Sequence, residues 1–183
     1  MRAKSFLSIL TLLLAVAIGC SSNKASTPDV KDQVSKALDN AGFKDLKVDV
    51  NNDKQVVTLG GDVKTQEEKD RAEDVAKTAA GGFVVSNEIG IRPEGVESAA
   101  QKIDSNVDDA IEKDFKAVII ANKLDDQHIR YEAKNGVLTL KGDVDTTAQR
   151  QQAEKLAASV PNVQQVVNEL DVKGAKKRKA AGL

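Results

Sequence analysis

The chain has 183 residues, of which 40% are apolar and 30% charged, and its formal net charge is −1. That balance suits folded domains and argues against a general nucleic-acid binder, which would carry a dense basic surface. One cysteine excludes an intramolecular disulfide, and one histidine leaves almost no support for a zinc site or a catalytic triad.

In chain order, the first feature is a leader. Arg2 and Lys4 precede an apolar run from Phe6 to Ile18, followed by Gly19 and Cys20. A basic start, a short apolar core and small residues before a cut site form a secretory signal, expected over residues 1–19. The run is too short to span a bilayer comfortably, which takes about 20 apolar residues. Ala17, Ile18, Gly19 and Cys20 resemble the lipobox of bacterial lipoproteins, with alanine where leucine is usual. The resemblance implies that Cys20 is lipidated and becomes the new N-terminus. With serine at position 21, it also implies sorting to the periplasmic side of the outer membrane. A soluble periplasmic protein is the alternative. Residues 20–28 read as the lipidated cysteine and a polar tether without periodicity.

Losing Arg2 and Lys4 takes the net charge from −1 to −3. Lys176, Lys177, Arg178 and Lys179 then hold +4, leaving −7 on the remainder. The body is mildly acidic, and the tail over 174–183 is expected to be a disordered basic end that could attract anionic lipid.

Residues 30–92 align with 111–173 at a constant offset of 81, without a gap. Identities include Leu59/Leu140, Gly61/Gly142, Asp62/Asp143, Val63/Val144, Ala72/Ala153, Glu73/Glu154 and Asn87/Asn168. Such a register marks a duplication. The matched apolar positions then predict the elements. Val30, Val34, Ala37 and Leu38 share one helical face, as do Ile111, Phe115, Val118 and Ile119. A short strand follows, through Val48 and Val50 or Ile129 and Tyr131, alternating in and out. Asn51 to Asp53 and Asn135-Gly136 read as turns into a second strand carrying Val57 and Leu59, or Leu138 and Leu140.

After Gly-Asp-Val the chain is expected to bend into a helix. Thr65 with Glu68, and Thr146 with Gln149, have the spacing of capping boxes. That helix presents Ala72, Val75, Ala76 and Ala79, or Ala153, Leu156, Ala157 and Val160. Gly81-Gly82 and Pro161-Asn162 end it, and a third strand runs through Val85, Asn87, Ile89 and Ile91, or Val166, Asn168, Leu170 and Val172. The predicted fold is α+β, with two tandem α-β-β-α-β modules, each a three-stranded sheet covered by two helices. The modules are expected over 29–93 and 104–173, joined by a linker over 94–103 that Pro93 and Gly95 punctuate.

The stretches from Val56 to Ile89 and from Val137 to Leu170 resemble the BON domain, named for bacterial osmotically inducible and nodulation proteins. The shared marks are a strand of the type V-x-L-x-G-x-V, an "AE…A" helix and a closing "V-V-x-N-x-[IL]". The order of signal, tether and two modules looks like the dual-BON lipoproteins of Gram-negative envelopes. The resemblance implies a non-enzymatic protein that binds anionic phospholipid and supports outer-membrane integrity or osmotic-stress tolerance. In such lipoproteins the first helix of the second module is implicated in lipid contact. An envelope adaptor that docks another protein through its modules is the alternative. No cofactor and no metal are expected.

The candidate sites follow from that frame. Asp62 and Asp143 have no repeated His or Cys partner, so they read as residues of a glycine-permitted bend near a helix N-terminus. His128, beside Asp125 and Asp126, is expected to be solvated, and Asn87 and Asn168 to bond a neighbouring backbone. Ile120 replaces Asp39 about 180° round the helix from the buried stripe. With Lys113, Lys116, Ala117, Ala121 and Lys123, it forms a candidate membrane contact of exposed apolar and basic residues.

Overall fold

The computed structural model describes residues 29–125 and 127–173. The expected leader, Cys20, the tether, Asp126 and the basic tail lie outside the described residues. The first module contains α1 (Val30–Asn40), β1 (Lys47–Asn51), β2 (Val56–Gly60), β3 (Asp62–Val63), α2 (Gln66–Ala79), β4 (Val84–Asn87) and β5 (Gly90–Ile91). The second contains α3 (Glu97–Ala121), β6 (His128–Lys134), β7 (Val137–Val144), α4 (Thr147–Ala158) and β8 (Gln165–Val172).

Each module is an α-β-β-α-β unit, as the repeat predicts. β1 pairs antiparallel with β2, and β2 pairs parallel with β4 across the α2 crossover. The second sheet repeats the pattern in the order β6-β7-β8. One core gathers Val34 and Leu38 of α1, Val57, Leu59 and Val85 of the sheet, and Ala72 and Ala76 of α2. The other gathers Ile111, Phe115, Ile119, Leu138, Leu140, Ala153 and Ala157. Small residues on α2 and α4 let those helices lie close to their strands. Phe115 meets Tyr131 edge-on, with ring centroids 5.1 Å apart, a geometry worth about 1 kcal/mol beyond burial.

Four expectations need adjusting. Gly-Asp-Val does not turn a strand into a helix; the strand kinks and continues, since β7 runs unbroken through Val144 and β3 resumes at Asp62. Gly61 and Gly142 sit at φ +110° and +114°, which bends the strand without ending it. The aspartates therefore lie in strand, three residues ahead of the Thr65 and Thr146 helix caps. Second, residues 97–103, expected in the linker, are already helical. After Gly95 no breaker intervenes, and Ser98, Ala99, Ala100, Gln101 and Lys102 let the helix extend back from Ile111. Third, the last strand of the first module is split: β5 leaves the main sheet and pairs with β3. Fourth, Thr146 and Gln149 complete a reciprocal capping box, whereas Glu68 accepts from the amide of Lys64 in place of Thr65.

The modules pack against each other through the sheet faces turned away from their helices. Val56, Val137 and Val167 form a separate buried cluster there. Ser86, Thr139 and Glu169 are buried beside it. The side chain of Gln165 spans the free edge of β4, donating to the carbonyl of Val85 at 2.6 Å and accepting from the amide of Asn87 at 3.1 Å. It supplies to that edge what another strand would supply.

Candidate membrane-contact helix and the module junction

The structure brings all six candidate contact residues to one exposed end of α3. Lys113, Lys116, Ala117, Ala121 and Lys123 are exposed, and Ile120 is 51% exposed, while Ile111, Phe115 and Ile119 of the same helix are buried. The first module offers an internal control at the same places. There α1 and its end carry Asp32, Ser35, Lys36, Asp39, Asn40 and Gly42. One lysine and two aspartates on α1 give −1, and three lysines on the second module's end give +3. Asp114, also exposed, lies between Lys113 and Phe115 and tempers that charge.

The helix end itself makes the contrast sharper. Both first helices close with the same pair of backbone bonds. In the first module the amides of Gly42 and Phe43 donate to the carbonyls of Asp39 and Leu38. In the second the amides of Lys123 and Leu124 donate to Ile120 and Ile119. This closure puts its next-to-last residue in the left-handed region, where glycine is favoured. Gly42 has φ +95°, and Lys123 has φ +57°. A side chain there costs about 1 kcal/mol, so the lysine is kept against a local penalty. Such outliers concentrate where a function uses the side chain.

The other candidates have structural partners. Asp62 accepts from Arg92 Nε at 3.3 Å, and Arg92 also reaches Asp104 of α3 at 2.5 Å, tying β5 to the next helix. Asp143 is half-buried in β7 opposite His128, whose side chain is exposed. Among the described residues no group of three or more His, Cys, Asp or Glu could hold a metal ion. Asn87 donates to the carbonyl of Lys69 at 3.3 Å and to Glu73 at 2.8 Å, and accepts from the amide of Ile89. Asn168 repeats the set on Arg150, Glu154 and Leu170. Each asparagine ties the last strand to the crossover helix. Burial pushes the Glu73 carboxyl up, but hydrogen bonds from Lys77 and Asn87 outweigh it and leave the group below the usual value.

The junction was not foreseen from the sequence. Asn51 donates to Glu169 at 2.9 Å, Lys54 pairs with Asp171, and Lys134 pairs with Glu88 at 3.4 Å. Asn135 donates to the carbonyl of Glu88 at 2.8 Å and accepts from the Lys69 ammonium. Lys69 is buried, and burial pushes its ammonium down from the usual lysine range against the pull of Asp104, Glu73, Asp70 and Asp108. A cleft of about 350 Å³ opens here, lined by Lys69, Asp104, Asn135 and Gln164. The contacts are reciprocal in kind: each hairpin tip touches the end of the other module's last strand. Apolar residues are doubled at Val56-Val57, Val137-Leu138 and Val166-Val167, but they are doubled at Val84-Val85 as well, where Val84 is 50% exposed, so the doubling does not by itself mark a second buried face.

The BON domain profile matches residues 26–93 and 107–174, more than half the chain. The chain belongs to the BON domain family. It is 32% identical over 137 residues to Osmotically-inducible protein Y of Escherichia coli (strain K12), covering 74% of this chain and 67% of that protein. Among solved structures, the C-terminal domain of CdsD, a structural protein of the type III secretion system of Chlamydia trachomatis, is 12% identical. That comparison covers 79% of this chain and 98% of that one at a TM-score of 0.32. A second CdsD structure gives 14% identity and a TM-score of 0.29, over 83% and 66% of the two chains.

Proposed function

We propose that this BON protein is an exported envelope protein whose second module contacts anionic phospholipid through the C-terminal end of α3. In this reading it supports outer-membrane integrity or osmotic-stress tolerance, held at the membrane by a lipid on Cys20 and steered by the basic tail. The observation that carries the reading is the pair of changes at one helix end. Asp39 gives way to the exposed Ile120, and Gly42 gives way to Lys123 in a conformation that disfavours lysine. An apolar residue ringed by lysines suits shallow insertion among anionic headgroups. Full burial of isoleucine contributes about 2 kcal/mol, and each nearby lysine about 1 kcal/mol. The name of the similar Escherichia coli protein supports osmotic stress as the setting.

Co-sedimentation of residues 21–183 with vesicles tests it. Binding is expected to anionic vesicles and not to zwitterionic ones. Ile120→Asp is expected to weaken it more than about tenfold. Deleting 174–183 is expected to lower it further and to flatten its salt dependence. Equal binding by Ile120→Asp and the parent would sink the proposal.

A further inference from the structure

β6 and β7 are joined by two residues, Asn135 and Gly136, which form the chain's only Asn-Gly pair. Both sit in the left-handed region, at φ +48° and +81°, in the tight hairpin turn that this pair favours. Asn-Gly is also the pair most prone to deamidate, because glycine has no side chain to hinder attack of its amide nitrogen on the asparagine Cγ. In that reaction the bond from Gly136 N to Asn135 Cγ forms and the bond from Cγ to Nδ2 breaks. Nδ2 leaves as ammonia, carrying the proton of the Gly136 amide. Water then opens the five-membered ring at either carbonyl and leaves an aspartate or an isoaspartate linkage.

Both ends of that reaction are held here. The nucleophile, the amide of Gly136, donates to Asp108 of α3 at 3.1 Å, and the amide of Asn135 donates to the other oxygen of the same carboxylate at 2.8 Å. Sharing one carboxylate keeps the two amide nitrogens on one side of the Asn135 Cα–C bond, as the left-handed conformation with ψ near about +47° requires. Ring closure needs the Gly136 nitrogen rotated away from there and onto Cγ. The leaving group, Nδ2, donates to the carbonyl of Glu88 at 2.8 Å, and Glu88 belongs to the first module. The Asn135 carbonyl accepts from the Lys69 ammonium of α2, also in the first module. Gly136 is buried, and its carbonyl accepts from the amides of Gln164 and Gln165. The turn is thus clasped by α3 on one side and by the first module on the other. The first module's own hairpin tip, over 52–55, carries no Asn-Gly pair.

We propose that Asn135 is a deamidation site gated by the module junction, protected while the modules are packed and reactive when they part. Reaction makes the opening lasting. A carboxylate at position 135 loses the donor to the Glu88 carbonyl and joins Asp104 and Asp108 on the wall of one cleft. The cations nearby, Lys69 and Lys134, already serve the Asn135 carbonyl and the Glu88 carboxylate. The junction therefore recloses less tightly after the reaction than before it.

Ageing of residues 21–183 at neutral pH, with peptide mapping by mass spectrometry at Asn135, tests the gate. The folded chain is expected to deamidate more than about tenfold more slowly than the same chain in urea. Gln165→Ala combined with Val56→Ala loosens the junction and leaves the clasp of Asp108 in place. It is expected to speed the reaction more than about fivefold by raising the open fraction. Asp108→Asn, shown folded by circular dichroism, is expected to speed it more than about tenfold. Asn135→Asp, which copies one product, is expected to broaden or divide the calorimetric transition. Equal rates in the folded and unfolded chain would overturn the gate, as would a double variant no faster than the parent. A slower reaction in Asp108→Asn would make that carboxylate a base that promotes closure and would overturn the clasp. An unchanged transition in Asn135→Asp would overturn the lasting opening.

Discussion

The first helices of the two modules hold equivalent places and differ mostly on one side. Toward the core, Val34 and Leu38 match Phe115 and Ile119 in role, and both helices end with the same backbone closure. Toward solvent, α1 is short and polar with Asp39 at its end, and α3 is 25 residues long with Ile103 and Ile120 exposed and a basic end. The inside of a duplicated module is held by packing that tolerates little change. Its outside is free to change, so the differences there carry the functional information.

The contrast can be broken most severely at the strand kink. A Cβ on Gly142 would collide with the carbonyl oxygen of His128, whereas one on Gly61 meets the Leu46 side chain at 3.1 Å, and Leu46 can give way. Gly142→Ala is expected to cost more than about 3 kcal/mol and Gly61→Ala about 1–2 kcal/mol, measured by denaturant unfolding. Equal costs would mean the two kinks are not packed differently.

The asparagine tie comes next. Asn87 is buried and Asn168 half-exposed, so Asn87→Ala is expected to cost about 2 kcal/mol and Asn168→Ala about 1 kcal/mol. The Glu73 carboxyl that Asn87 supports is held below the usual glutamate range in the folded chain. Its contribution is therefore present above the ordinary glutamate range and fades as pH falls through the lowered folded value. Stability curves of Asn87→Ala and the parent should converge in acid.

Gln165 tests whether the modules act as one body. Gln165→Ala removes both bonds to the edge of β4 and is expected to cost about 1 kcal/mol. Calorimetry should show the single unfolding transition broaden or divide. An unchanged single transition would mean that the apolar cluster of Val56, Val137 and Val167 and the remaining polar contacts of the junction couple the modules without Gln165. The smallest effect, and one of opposite sign, is expected at the helix end. Lys123→Gly should stabilise the chain by about 1 kcal/mol by relieving the left-handed lysine, while weakening vesicle binding. A gain in stability without a loss in binding would separate the strain from the function.

Much of each module was legible because its signals are local. The offset of 81 fixed the copies, the apolar periods located helices and strands, and Thr65 and Thr146 marked helix starts. The exposure of Ile120 followed from helical spacing alone. The kink at Gly61 and Gly142 was misread as a strand end, because a glycine in the chain announces a permissive backbone without saying which way it turns. The early start of α3 was hidden by Pro93 and Gly95, which stop only what precedes Val96.

The sequence by itself therefore determined the repeat, the layer order of each module and the identity of its helix-facing core. Those depend on neighbours within one or two turns and on alternation along a strand. Tertiary structure alone decided that the two sheets bury their open faces together, that Gln165 completes an edge 80 residues away, and that α3 keeps a second face in solvent. The physical reason is that all three outcomes depend on where a surface is left after the module closes. A doubled valine reads the same whether its outer face meets water or another sheet.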